Sequence, residues 1–119
     1  GGVVSYAIPV KHEVLGVSNS ILDAPGVGAV SSECAAAMAK GARRVLGCDV
    51  AVSVTGIAGP GGEEPGKPVG TVWMGLATPY STSTFPNLFE GDRSEVRARA
   101  VKRAVELLVQ GVRETAEKN

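Results

Sequence analysis

The chain has 119 residues, enough for one domain around one hydrophobic core, and 44% of them are hydrophobic. Its 12 basic and 12 acidic residues balance, which argues against a nucleic-acid or membrane-surface role driven by bulk charge. The apolar runs are too short to cross a bilayer, and 4% aromatic residues argue against a base-stacking platform. Cys34 and Cys48 have no metal or redox spacing, so we interpret them as small buried residues in a reducing cytoplasm.

The first third of the chain predicts one strand and one long helix. Gly2–Ile8 is apolar and predicts a short strand, whereas Pro9–Val17 is ambiguous. Ser18–Leu22 can form a helical turn. Ser31–Leu46 predicts a helix, because its first residue is a good N-cap and Gly47 fits the C-terminal cap.

The remainder predicts three strands followed by a second long helix. Asp49–Thr55 and Val69–Ala77 are predicted to be strands, and Thr82–Phe89 is a weaker strand in which Pro86 indicates an edge position or a break. Asp92 can cap the last helix, with a capping-box glutamate three residues later. The apolar stripe of that helix is predicted to comprise Val101, Ala104, Val105, Leu108 and Val112.

Strands mixed with two long helices imply a layered α/β domain, and we expect a single domain over residues 1–119. The two strands around the glycine-rich loop can pair as a hairpin, so a mixed sheet is expected. Glu114–Asn119 is predicted to be a frayed tail.

A glycine-rich loop, TGIAGPGG from Thr55 to Gly62, joins two apolar strands. Glycines let a backbone approach a ligand closely and point several N–H groups at one anion. The loop fits neither GxxxxGK[ST], because Glu63 follows the last glycine, nor GxGxxG before a helix. It is therefore a candidate ligand loop of no generic class, with a plain hairpin connection as the alternative.

Four ordered blocks carry a family resemblance: VSYAIPVKHEVLGV, AVSSECAAAMAKGARR, VTGIAGPGG with KPVGTVW, and FEGDRSEVRARAV. Together, from Gly1 to about Val109, they resemble the CinA C-terminal domain, found in competence/damage-inducible proteins and in stand-alone nicotinamide-nucleotide amidohydrolases. The resemblance implies a three-layer α/β/α sandwich. It also implies hydrolysis of the carboxamide of nicotinamide mononucleotide to nicotinic acid mononucleotide and ammonia, with no cofactor and no metal.

One family motif is missing from the sequence. The family carries an E-S-C-T-G-G segment whose serine is the implied nucleophile, and nothing like it occurs here. Either the sequence lacks an N-terminal part, or the chain is a degenerate family member. The second possibility leaves a non-catalytic nucleotide-binding or assembly module as the alternative function. In both cases we expect a small-molecule nucleotide as ligand and a homo-oligomeric assembly.

The resemblance also changes how two N-terminal residues are interpreted. A lysine near the end of a strand is most often a solvated surface group, and a strand tyrosine most often packs in a core. By resemblance, both flank the catalytic serine, with Lys11 as the general base and Tyr6 as a hydrogen-bonding partner. The chemistry is sound, because a lysine desolvated in a pocket loses its proton more easily and can deprotonate a serine.

The same resemblance predicts a substrate-binding set. Arg93 opens the last helix, where the helix dipole and the guanidinium fork both favour a phosphate. The alternative is a surface arginine that pairs with Glu90 or Glu95. The other implied substrate-binding residues are Thr55, Gly56, Ile57, Ala58 and Gly59.

Overall fold

The computed structural model describes all 119 residues, as four helices and three strands. In chain order these are α1 (Ile8–Glu13), α2 (Asn19–Leu22), α3 (Ser32–Leu46), β1 (Ala51–Gly56), β2 (Thr71–Ala77), β3 (Thr82–Leu88) and α4 (Arg93–Lys118). The three predicted strands of the second half and both long helices are present, so the α/β class is confirmed.

The sheet has the strand order β1-β2-β3, with β2 in the centre. Both pairs are antiparallel, and Gly75 of β2 lies opposite Ser53 on one side and Thr84 on the other. This sheet differs from the predicted mixed sheet, because consecutive strands joined by reversing connections give only antiparallel neighbours. Pro86 lies within β3, so of the two predicted alternatives the structure has the edge strand and not the break, and at an edge a missing N–H is tolerated.

Helix α3 covers one face of the sheet at very short range. The Ser53 hydroxyl donates to the carbonyl of Ala35 at 2.6 Å and accepts from the backbone N–H of Gly75 at 3.1 Å. A Cβ atom on Gly75 would lie 2.3 Å from the Ala35 oxygen, so only glycine lets the helix pack this closely.

Helix α4 covers the opposite face. Val72 and Met74 of β2 pack there against Val96 and Leu107 of α4, and all four side chains are buried. Helix, sheet and helix therefore form three layers, which confirms the predicted α/β/α sandwich. None of the helices has both the length and the apolar character needed to cross a membrane.

The predicted apolar stripe of α4 is correct only in part, since Ala104 packs against the core and Leu108 is half-buried. Val101, Val105 and Val112 are largely exposed, and the core-facing residues are Val96, Leu107, Gly111 and Thr115. Two stripes with helical spacing lie side by side on this helix, and periodicity alone does not say which one faces the sheet. The predicted frayed tail is also wrong, since α4 continues to Lys118.

The predicted strand Gly2–Ile8 is wrong as well. Residues 1–6 form no regular element, and the chain enters α1 at Ile8 with a proline in its first turn. An apolar run becomes a strand only when a sheet edge pairs with it, and β1 pairs with β2 alone.

The helix ends agree with the sequence because capping is local. The Ser31 hydroxyl accepts from the N–H of Cys34, and Gly47 ends α3 in the left-handed conformation with φ 61°. Asp92 and Glu95 form the predicted capping box of α4.

Candidate functional site

A groove of about 730 Å³ lies between the N-terminal residues, α3 and the free edge of β1. Its size is within the range of small-molecule sites, roughly 300–1,000 Å³. Four of the predicted site residues line it: Tyr6, Lys11, Thr55 and Gly56. We call these four residues the groove cluster.

Lys11 is buried, with 8% of its surface exposed, so it is not the solvated surface lysine that was the alternative interpretation. It lies in the last turn of α1, and its ammonium donates a hydrogen bond to the carbonyl of Ser5. Burial lowers the pKa of Lys11 below its ordinary value of 10.5, and the nearby Cys34 opposes that shift only in part. A larger share of neutral amine than in an ordinary lysine is therefore present as a base.

The group facing Lys11 from α3 is Cys34, which sequence reasoning did not connect with the site. Cys34 is fully buried and free, as its interpretation as a small buried residue predicted. Burial raises the pKa of its thiol above 9.0, with Lys11 opposing. Burial thus favours the neutral form of both groups, and a buried neutral thiol is a poor nucleophile. No spacing in the sequence indicates this pairing, because it depends on how α1 packs near α3.

Thr55 and Gly56 bring the end of β1 to the groove. The Thr55 hydroxyl donates to the carbonyl of Ala29 at 2.6 Å, and the side chain is almost fully buried. Gly56 lies tight against β2, since a Cβ there would be 2.8 Å from the Thr71 oxygen. The backbone therefore reaches the groove without a side chain in the way.

The rest of the predicted loop does not line the groove. The backbone of Ile57 bonds to Thr71 and Gly70, at 2.9 Å and 2.7 Å, and its side chain is buried. Ala58 packs against the core under α4. These two residues shape the loop from inside the fold.

Gly59 and Arg93 form a second group, which we call the loop cluster. The Arg93 guanidinium at the start of α4 donates to the carbonyl of Gly59 at 2.9 Å. It makes no ion pair with Glu90 or Glu95. The Glu95 carboxylate instead lies 3.9 Å from the guanidinium of Arg99. The surface-pairing alternative for Arg93 is therefore not observed. One N–H contacts the loop, and the other guanidinium donors remain available.

Tyr6 stands at the rim of the groove with 92% of its surface exposed. Its hydroxyl makes no hydrogen bond within the chain, and the Lys11 ammonium bonds to Ser5 instead. Tyr6 and Lys11 therefore form no hydrogen bond with each other, and the role of Tyr6 as a hydrogen-bonding partner in the site stays a prediction.

The glycine-rich loop should depend on Gly59 for its shape. We expect Gly59→Ala to lower the free energy of unfolding by about 1–3 kcal/mol, because φ is +87° and the new Cβ would lie 2.6 Å from Val69. Gly61→Ala is the matched control: its Cβ would enter open space, and we expect a change within about 0.5 kcal/mol. Urea unfolding of both variants is the measurement, and equal midpoints would contradict the expectation.

Comparison with known proteins matches residues 1–112 to the family described as the CinA C-terminal domain. The chain is 48% identical over 107 residues to a CinA-like protein of Anaeromyxobacter dehalogenans, which is 90% of this chain and 26% of that protein. It is 48% identical over 108 residues to a CinA-like protein of Frankia casuarinae, with 91% and 24% covered. The chain thus spans about a quarter of the length of the curated relatives it matches.

Two solved structures show the same fold. The competence damage-inducible protein A of Klebsiella pneumoniae superposes with a TM-score of 0.86 at 37% identity, over 93% of this chain and 68% of that chain. The competence/damage inducible protein CihA of Agrobacterium tumefaciens gives a TM-score of 0.84 at 36% identity, over 90% and 65%. The sequences of these two proteins are 36–37% identical to this chain over at least 90% of its length, in agreement with the shared fold.

Proposed function

The chain belongs to the CinA C-terminal domain family, the competence/damage-inducible type, and from this premise we propose that it takes part in hydrolysing the carboxamide of nicotinamide mononucleotide. The products would be nicotinic acid mononucleotide and ammonia. The observation that carries the proposal is Lys11, a buried amine with a lowered pKa in a groove of ligand size that Thr55 also lines.

The proposed chemistry is acyl transfer through a serine. Neutral Lys11 takes the proton of the serine hydroxyl as the oxygen attacks the carboxamide carbon. The C–N bond then breaks, and Lys11 returns the proton to the leaving nitrogen, which departs as ammonia. Water next cleaves the ester, with Lys11 as the base again, and releases the carboxylic acid.

The nucleophile is not among the residues of this sequence. The proposal assigns it to the serine of the family's E-S-C-T-G-G segment, placed beside Lys11 in the groove. Ser5 lines the groove too, but only its backbone carbonyl contacts the Lys11 ammonium. A non-catalytic nucleotide-binding or assembly module is the second candidate function, because no serine hydroxyl of the groove is hydrogen-bonded to Lys11.

Ammonia release from nicotinamide mononucleotide distinguishes the two functions. The enzyme proposal expects release by this chain once a family segment with the serine motif is joined ahead of Gly1. The module proposal expects the nucleotide to bind and remain intact in the same fusion. Binding is followed by calorimetric titration and turnover by an ammonia assay.

Arg93 is proposed to bind the 5′-phosphate of the nucleotide. It stands outside the groove cluster, at a helix N-terminus, with guanidinium donors left after its bond to Gly59. We expect Arg93→Ala to raise KM for the nucleotide roughly ten- to a hundred-fold, because a charged hydrogen bond contributes about 1.5–3 kcal/mol. The nucleoside, which lacks the phosphate, should be affected far less.

The control for this prediction is Arg97→Ala, an exposed arginine one turn further along α4. It should leave both KM values unchanged. If Arg93→Ala affects nucleotide and nucleoside by the same factor, the phosphate assignment fails.

A further inference from the structure

We propose that Lys67 is a positioning residue that fixes the spacing between the two ends of the nucleotide site. Its ammonium joins the glycine-rich loop, which Arg93 contacts, to the segment of residues 27–29, which reaches the groove at Ala29. This inference rests on the proposed function, because it takes the carboxamide to lie in the groove and the phosphate to lie at Arg93. It goes further by adding a residue that lies outside the groove.

A tight turn returns Lys67 from the exposed tip of the loop to the body of the domain. The backbones of Glu64 and Lys67 hydrogen-bond to each other in both directions, at 3.0 Å and 2.8 Å. Pro65 and Gly66 lie between them, and Gly66 has a φ of +75°, which fits the central positions of a type II turn. The turn places Lys67 where 11% of its side chain is exposed.

The ammonium of Lys67 connects the outer part of the loop to the rest of the domain. It donates a hydrogen bond to the carbonyl of Val27, and the carboxylate of Glu64, in the same turn, lies 3.8 Å away. No other side chain of residues 60–68 forms a hydrogen bond outside the loop. The outer part of the loop therefore depends on this one side chain for its hydrogen-bonded attachment.

Two other hydrogen bonds hold the loop at different points. At its base the carbonyl of Ile57 accepts from the N–H of Gly70 at 2.7 Å. Further along, the carbonyl of Gly59 accepts from the guanidinium of Arg93 at 2.9 Å. If the bond of Lys67 is lost, the loop keeps both of these bonds but loses its hydrogen bond to the groove side of the fold.

The segment that accepts the Lys67 bond is firmly held. Each of the three consecutive carbonyls of residues 27–29 accepts a side-chain hydrogen bond, from Lys67, Ser31 and Thr55 in that order. The last of these carbonyls belongs to Ala29, which lines the groove. Lys67 thus links a fixed part of the groove to the loop that contacts Arg93.

A nucleotide that reaches from the groove to Arg93 uses both parts at once. With Lys67 in place, the loop is already held in position before the ligand arrives. Without it, binding must also order the loop, and that cost lowers the affinity. The nucleoside has no phosphate to bring to Arg93, so its affinity should not depend on Lys67.

The test measures Kd by calorimetric titration of the whole chain with nicotinamide mononucleotide and with its nucleoside. We expect Lys67→Met to raise Kd for the nucleotide about tenfold and to leave Kd for the nucleoside unchanged. Lys67→Arg keeps a charged donor and should restore the wild-type value. The matched control is Lys102→Met, an exposed lysine of α4, which should change neither Kd.

A double-mutant cycle shows whether Lys67 acts through the loop and Arg93. In the Arg93→Ala background the phosphate contact is already lost, so Lys67→Met should raise Kd for the nucleotide by less than about twofold. Effects of the two substitutions that simply multiply would overturn the positioning role. An equal loss for nucleotide and nucleoside in Lys67→Met would overturn it as well.

A second variant keeps the inference testable if Lys67→Met does not fold. Gly66→Ala adds a Cβ that meets no atom within 4 Å, but it strains the turn that directs Lys67, because φ is +75°. It should raise Kd for the nucleotide about two- to fivefold, and an unchanged Kd would overturn the inference.

The outcomes separate this inference from the proposed function. A tenfold loss in Lys67→Met together with no ammonia from the wild-type fusion supports the role of Lys67 and overturns the hydrolysis. An unchanged Kd in Lys67→Met together with ammonia release overturns the role of Lys67 and leaves the proposed function standing. Binding of neither ligand by the wild-type chain overturns both.

Discussion

Replacing Lys11 by methionine should lower kcat for ammonia release about a hundred- to ten-thousand-fold, the usual effect of losing a general base. The rate is measured in the fusion that supplies the serine. Methionine keeps a long unbranched side chain in a site where Lys11 is 8% exposed, so the fold should persist. Lys40→Met, on the exposed side of α3, is the control and should leave kcat unchanged. A Lys11→Met protein with the wild-type kcat would remove Lys11 from the mechanism.

The pH profile gives this prediction a second readout. Only the neutral amine accepts a proton, and burial lowers the pKa of Lys11 below 10.5. The rate should therefore rise with pH through that lowered pKa and then level off. In Lys11→Met the residual rate should lose this step, which a merely structural effect of the substitution would not produce.

The second large effect concerns the serine. The chain alone should release no measurable ammonia, whereas the fusion with an E-S-C-T-G-G segment should be active, because Lys11 needs a nucleophile to deprotonate. The matched control is the same fusion with that serine changed to alanine, which should match the bare chain. Turnover by the bare chain at the rate of the fusion would contradict the prediction.

The features of the fold that the sequence predicted well are local ones. Ser31 and Gly47 bracket α3 and Asp92 starts α4, because each cap is decided within one helical turn. The Gly2–Ile8 prediction failed for the opposite reason: a strand requires a partner that local composition cannot provide. The valines of the predicted α4 stripe are exposed because two apolar faces compete and only packing against β2 selects one.

The candidate site shows the same division. Family resemblance pointed to Lys11 and Thr55, and the structure brings both to one groove. The surroundings of both residues come from tertiary packing that no spacing reveals: burial lowers the pKa of Lys11, with Cys34 opposing, and the Thr55 hydroxyl donates to the carbonyl of Ala29. Arg93 was predicted by resemblance to bind the substrate, and the structure shows that it contacts the glycine-rich loop at Gly59 and does not line the groove.

The most direct test of the central claim is which bond of nicotinamide mononucleotide is broken. The fusion is incubated with the nucleotide, and ammonia, nicotinic acid mononucleotide and free nicotinamide are quantified together. Hydrolysis at the Lys11 groove predicts ammonia and nicotinic acid mononucleotide in equal amounts, no nicotinamide, and loss of both products in Lys11→Met. Release of nicotinamide, or an intact nucleotide after binding, would contradict it.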